Sequence, residues 1–271
     1  MARAHEARLK FRNGSLSAQT SNMAPGHIQA NLLVLPSAAA KDFHDLCARN
    51  PVPCPLLAMS SQVGNPHLFD NPLAFSHEVD IRSDVPKYNI YESGKLVATK
   101  TDIRDEWTDD HVAFLIGCSY SFESALGEAG LPCRHWEERR NVSMYKTTRK
   151  VNVVVNACET GADSLKLLPA GIFTGASHVV SMRPYLPEQV EKVRHVTRPF
   201  LQMHGEPMAW GWEAMDELGI KDISKPDFGE PVTIRDREIP VFWVSLKIRF
   251  GDGFAAVTDS ARVVGLRLKL L

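Results

Sequence analysis

Two apolar stretches break off abruptly into reactive side chains. The run from Val112 through Leu115-Ile116-Gly117 has the length and branching of a buried strand, then turns into Cys118-Ser119-Tyr120-Ser121-Phe122-Glu123. Val179-Val180-Ser181-Met182 behaves the same way and stops on Arg183-Pro184. An α/β protein ends strands like this where a rigid sheet edge carries a site. Ala30 to Leu35 predicts another strand. Ser37 is placed to cap a helix with Phe43, Leu46 and Cys47 on one side, stopped at Asn50-Pro51. The proline-rich connector from Pro51 to Pro72 is too irregular for a regular element, although Leu56-Leu57 should be packed. Tyr88 to Tyr91 and Leu96 to Ala98, on either side of Glu92-Ser93-Gly94-Lys95, predict a β-hairpin. Ser119 or Ser121 can cap a helix beginning near Phe122. A second helix is expected from Pro187 to Met203, with Val190, Val193, Thr197, Phe200 and Leu201 facing the core and Gly205 ending it. Thr233-Ile234 and Val241 to Trp243 suggest a second hairpin. The pattern predicts an α/β fold, a mixed sheet with flanking helices and β-hairpins, with two sub-lobes as an option.

Composition narrows the function. A chain of 271 residues with 44% hydrophobic content can bury one large core or two modest ones. Thirty-one basic against 32 acidic residues leave no field to attract nucleic acid or an anionic membrane. The local basic cluster of Arg139, Arg140, Lys146, Arg149 and Lys150 reads as a solvated loop. No apolar run reaches the roughly 18 residues that span a bilayer. Five scattered cysteines fit reduced thiols in a cytosol-like compartment. Residues 1–23 read as a flexible arm without a secretory core. Its basic residues keep the mitochondrial matrix open as an alternative to a cytoplasmic location. Neither a Walker loop nor GxGxxG occurs, so no nucleotide cofactor is expected; Gly251-Asp252-Gly253 reads as a turn. The histidines show no pair at metal-ligand spacing, so no metal is expected either.

A series of segments resembles one known family. They include Gln29-Ala30-Asn31-Leu32, Arg49-Asn50-Pro51, Cys54-Pro55-Leu56-Leu57 and Asp80-Ile81-Arg82-Ser83-Asp84-Val85-Pro86. Val112 through Glu123, Asn141 through Thr147, Val179 through Pro184, His204-Gly205 and Pro240-Val241-Phe242-Trp243 complete the set. Together they resemble the D-glutamate cyclase family, whose bacterial members carry a hydro-lyase label. The resemblance implies a catalytic domain over residues 24–243 and cofactor-independent conversion of D-glutamate to 5-oxo-D-proline and water. It implies a small amino-acid or carboxylic-acid substrate, with a homo-oligomer left open. Two stretches depart from the family, an insert at 151–168 and a tail at 244–271. Both begin at valine, as a translated splice donor would, and retained intron sequence is the favoured reading. A genuine insertion with a divergent tail is the other. Two rivals to the implied function follow: a related lactam-forming lyase acting on another small acid, or an impaired binding protein lacking the family C-terminus.

Closing a glutamate ring requires a grip on the spectator carboxylate, a proton acceptor, and donors for an oxyanion. Arg82, between Asp80 and Asp84, suits a bidentate carboxylate fork or a structural ion cluster. Arg183, at a strand end before Pro184, points toward a crevice and suits the same grip. Ser119 and Ser121 can hold an oxyanion or cap the helix. Glu123 is a candidate base or a partner of the helix dipole, and His204 a candidate base or a helix-terminal cation. Cys118 reads as a small buried thiol before a nucleophile. Asn31, Tyr145 and Thr147 offer hydrogen bonds to a substrate, Tyr145 equally a place in the core.

Overall fold

The computed structural model describes residues 2–17, 20–71, 79–147, 168–173, 178–246 and 255–267. Residues 151–167 of the insert, which include Cys158, lie outside the described residues, as do Arg149, Lys150 and the Gly251-Asp252-Gly253 turn. The strands are β1 (His27–Pro36), β2 (Leu56–Met59), β3 (Tyr88–Glu92), β4 (Lys95–Lys100), β5 (His111–Gly117), β6 (Ser143–Lys146), β7 (His178–Tyr185), β8 (Ala209–Trp210), β9 (Ile239–Leu246) and β10 (Ala255–Arg267). The helices are α1 (Ala2–Arg12), α2 (Ser37–Arg49), α3 (Tyr120–Glu128), α4 (Arg134–Glu137), α5 (Val190–Thr197) and α6 (Glu213–Leu218). The strands build two sheets, a six-stranded one in the order β2-β5-β1-β10-β3-β4 and a four-stranded one in the order β6-β7-β9-β8. The mixed α/β class is as expected, and every pairing within both sheets is antiparallel. Among the described residues, no helix is long and apolar enough to cross a membrane.

Alternation along β1 and β5 explains why both are apolar throughout. Ala30, Leu32, Val34, Ala113 and Leu115 face one core cluster; Leu33, Leu35, Val112, Phe114 and Ile116 face another. The second face is covered by α2, whose Phe43 meets Phe114 edge-on at 4.8 Å between ring centroids. On the four-stranded sheet, Val180, Met182 and Phe242 pack beneath α6, whereas Tyr185, Val241 and Trp243 pack against α3 and α5. Arg183 pairs with Val241 in the β7–β9 register, which aims its side chain at the α3 side. The β3–β4 hairpin closes through Ser93 at φ +47° and Gly94 at φ +74°. Two consecutive left-handed residues match the twist of the flanking strands.

Several expectations change. The N-terminal arm is helical: Ala4, Ala7 and Phe11 are buried along α1, and Arg8 and Arg12 both reach the fully buried Asp84. Leu56–Met59 is a strand rather than part of an irregular connector, because it pairs with the outer edge of β5. Ser37 is the first residue of α2, not its cap, and its hydroxyl bonds Asp110. The Pro187–Met203 helix divides into a 3-10 turn, α5, and a second 3-10 turn at Leu201–Met203. Pro199, which lacks an amide donor, falls at the break, and Leu201 is exposed there rather than core-facing. Thr233-Ile234 forms no strand, because the Thr233 amide is given to Glu138 and the neighbour of β9 is β8. In the tail, β9 continues through Leu246 and the backbone of Ala255–Arg267 lies between β1 and β3.

Candidate active site

The end of β5, the start of α3 and the end of β7 converge on one buried ion pair. Arg183 and Glu123 are both fully buried, with Nη2 2.5 Å and Nε 3.2 Å from Glu123 Oε1. Arg183 also donates to the hydroxyls of Ser119 (3.1 Å) and Ser181 (3.2 Å). Its guanidinium lies 5.2 Å from the centre of the Phe122 ring and 5.1 Å from that of Trp243. Glu123 collects further donors. His135 Nε2 is 3.1 Å from Oε1, while Ser21 Oγ (2.7 Å) and Trp136 Nε1 (3.0 Å) donate to Oε2. Burial disfavours the charge on Glu123, but His135 and Arg183 hold its carboxyl well below the ordinary carboxylate range. Burial likewise opposes the charge on Arg183, and Glu123 overcomes it, so both partners remain ionised.

The serines do not cap α3 as expected. Ser119 stands at the cap position in helical geometry without capping the amides behind it, and its oxygen accepts from Arg183 instead. The Ser121 hydroxyl accepts the Gln29 amide at 2.8 Å and so ties α3 to β1. Glu123, Cys133 and His135 bring a carboxylate, a thiol and an imidazole within 4.8 Å of one another. The set does not suit a cation: Arg183 already neutralises the carboxylate, and burial pushes the Cys133 thiol up to about 12.

Beside this network lies a cavity of about 430 Å3, within the range of small-molecule sites. It opens between the end of α2, the connector after it and the turn from residue 198 to 208. His204 forms part of its wall, with Cys47, Pro55 and Met208 on the apolar side and Arg198 and Glu206 carrying charge. The His204 backbone is left-handed, at φ +79°, and Gly205 follows at +64°. Left-handed residues other than glycine persist where the surroundings enforce them, and such strain concentrates at functional sites. His204 Nδ1 lies 3.0 Å from the Val52 carbonyl. That bond places the proton on Nδ1 and leaves Nε2 as an acceptor without a hydrogen-bond partner among the described residues. Burial, with Arg183 adding to it, pushes His204 down to about 4 although the Val52 carbonyl pulls the other way. The imidazole is therefore neutral at physiological pH.

Five of the nine candidate residues share this neighbourhood: Ser119, Ser121, Glu123, Arg183 and His204. Four do not share its contacts. Arg82 makes a bidentate pair with Asp80 at 2.8 and 2.9 Å in the loop that docks α1, which is the ion-cluster alternative. Asn31 sits half-buried on β1 opposite Ile116, on the face covered by α2. Tyr145 donates to the Ile223 carbonyl at 2.5 Å on the opposite face of the four-stranded sheet from Arg183, the core alternative. Thr147 is buried just beyond β6. Sequence reasoning missed Ser21, His135, Trp136, Arg198 and Glu206. One clue was available, since a glutamate just past a wholly apolar strand must bring donors with it when it is buried.

The chain is similar to a set of known proteins. A 240-residue alignment to a Bordetella petrii protein is 46% identical and covers 89% of this chain and 82% of that one. A Schizosaccharomyces pombe protein is 42% identical over 238 residues, covering 88% of this chain and 73% of the relative. Both are named "Putative hydro-lyase", the class of enzymes that cleave carbon–oxygen bonds with loss of water. A solved nitrogen repressor-like protein from Methanococcus jannaschii overlaps 97% of this chain and 98% of its own at a TM-score of only 0.36, with 9% identity. The profile of the D-glutamate cyclase family matches residues 112–247, which takes in β5 through β9 and extends past Trp243, where the resemblance was expected to stop. The chain belongs to the D-glutamate cyclase family.

Proposed function

We propose that this protein is a hydro-lyase that closes D-glutamate into 5-oxo-D-proline, with His204 as the proton carrier. The observation that carries this reading is His204 itself, a left-handed residue in the wall of a cavity sized for a small molecule, whose Nδ1 is tied to the Val52 carbonyl so that Nε2 is left as the acceptor. The reaction is balanced in protons. The substrate nitrogen gives up two on passing from ammonium to amide, and the side-chain carboxylate takes up two on leaving one oxygen as water. One base standing between nitrogen and departing oxygen can carry both, which is general acid–base work for an imidazole. The amine attacks the side-chain carbon, a C–N bond forms, and collapse of the tetrahedral adduct breaks the C–O bond.

Arg183, Ser119 and Glu123 take a supporting task in this scheme, since none of them lines the cavity. Their ion pair anchors the sheet end behind His204, and the Arg183 charge helps keep that imidazole unprotonated. They are positioning residues, in place of the carboxylate grip, oxyanion donor and base first assigned to them. Incubating the purified chain with D- and L-glutamate while following primary amine and 5-oxoproline tests the reading. D-glutamate should be consumed with stoichiometric lactam. His204→Asn, which tolerates the left-handed backbone, should lower the rate by about 100-fold or more with the fold intact. Turnover of neither enantiomer, or full activity in His204→Asn, would refute it.

A further inference from the structure

The same cavity holds an ion pair that the proton chemistry above does not use. Arg198 and Glu206 line it on either side of His204 in the chain. Glu206 is held firmly from outside: Arg194 Nε donates to Oε2 at 2.8 Å. Arg194 is itself fixed by Glu191 at 2.7 Å, and its guanidinium lies 5.1 Å from the centre of the Trp210 ring. Arg198 holds Glu206 more loosely, with Nε at 3.2 Å and Nη2 at 3.3 Å, and its Nη1 has no hydrogen-bond partner among the described residues. Glu206 therefore keeps its position without Arg198, and the Arg198 guanidinium can turn to another carboxylate without leaving a buried charge behind. A guanidinium next to an anchored carboxylate is the electrostatic complement of an α-amino acid, whose carboxylate and ammonium are themselves adjacent.

Resting on the reading of this cavity as the substrate site, we infer that Arg198 binds the α-carboxylate and Glu206 the α-ammonium of an amino-acid substrate. The pair then selects amino acids over simple dicarboxylic acids. It also orients the amine toward His204, so that the nitrogen delivered to the base is the one that attacks. A purely structural pair closing the 198–206 turn would affect all ligands alike.

Calorimetric titration of the full chain with D-glutamate and with glutarate, which lacks the amine, separates the two cases. Arg198→Ala should weaken both ligands by about 10- to 100-fold, the loss of one charged, bidentate contact. Glu206→Gln should weaken D-glutamate by about 10-fold or more and leave glutarate within about twofold. Equal losses for both ligands in Glu206→Gln, or wild-type affinity for D-glutamate in Arg198→Ala, would overturn the inference. If the wild-type protein consumes D-glutamate but Arg198→Ala binds it unchanged, this assignment alone fails. If the wild-type protein neither binds nor consumes D-glutamate, the proposed function fails and this inference with it.

Discussion

Replacing Glu123 with glutamine keeps the shape of the side chain and removes one charge from the most buried part of the molecule. The carboxylate receives Arg183 and His135 on one oxygen and Ser21 and Trp136 on the other. An amide can accept on one side only, so at least one donor is left facing an NH2 group, and the Arg183 charge stays buried without its counterion. Breaking a buried pair from one side costs about 3–5 kcal/mol. At roughly 2–3 °C per kcal/mol for a chain of this size, the midpoint of thermal unfolding should fall by about 6–15 °C. Differential scanning calorimetry or urea unfolding reads this directly. The informative comparison adds Arg183→Met. Each single variant strands one ion, while the double variant strands none and retains an apolar contact with Phe122 and Trp243. The double variant should be no less stable than the worse single one, with non-additivity of up to about 3 kcal/mol. Losses that simply add, or a Glu123→Gln variant within about 1 kcal/mol of wild type, would refute the view that this pair is a closed electrostatic unit.

Three further outcomes are expected. A Cβ on Gly117 would lie 1.7 Å from the Gln202 carbonyl oxygen, which is backbone and cannot swing aside; Gly117→Ala should therefore lose about 1–3 kcal/mol in urea unfolding and weaken ligand binding, and unchanged values would contradict the packing. His204 binds its proton less well folded (about 4) than unfolded (6.5), so the stability linked to it is complete above pH 6.5 and declines as pH falls toward 4. At about 1.4 kcal/mol per pH unit that is about 3 kcal/mol, which His204→Asn should remove from the pH dependence, and an identical pH dependence in both proteins would sink the point. Phe11, buried where α1 packs, should cost about 3 kcal/mol when cut to alanine and should speed tryptic cleavage at Arg8 and Arg12; wild-type cleavage rates would mean that α1 is not docked.

The elements read most directly from the chain are those whose apolar pattern is unbroken. β5 is buried at all seven positions, and β1 feeds alternate side chains into two cores, so each appears as a nearly continuous apolar run. α1 was hidden because its buried face is made of two small alanines and one phenylalanine, with its docking carried by arginines that look solvated in sequence. Ala4, Ala7 and Phe11 did have helical spacing, and that was the available clue. β2 was obscured by the prolines around it and β8 by its length of two residues. At the site, the strand-end positions of Ser119, Glu123 and Arg183 were legible, but their mutual pairing was not. A free arginine and a paired one have the same letter, and only the fold shows that the partner is 60 residues away. Ser21 and His135 reach Glu123 from 102 and 12 positions off for the same reason. The left-handed turn at His204 could be suspected only from the glycine after it.

The Arg183–Glu123 pair has a consequence for how the molecule comes apart. Glu123 sits on a helix launched from the six-stranded sheet, and Arg183 on the central region of the four-stranded one. Prying the halves open would bare a guanidinium and a carboxylate against an apolar lining before water could reach them. The two sheets are therefore expected to unfold together, and a calorimetric scan resolving two separate transitions would show that the pair does not couple them.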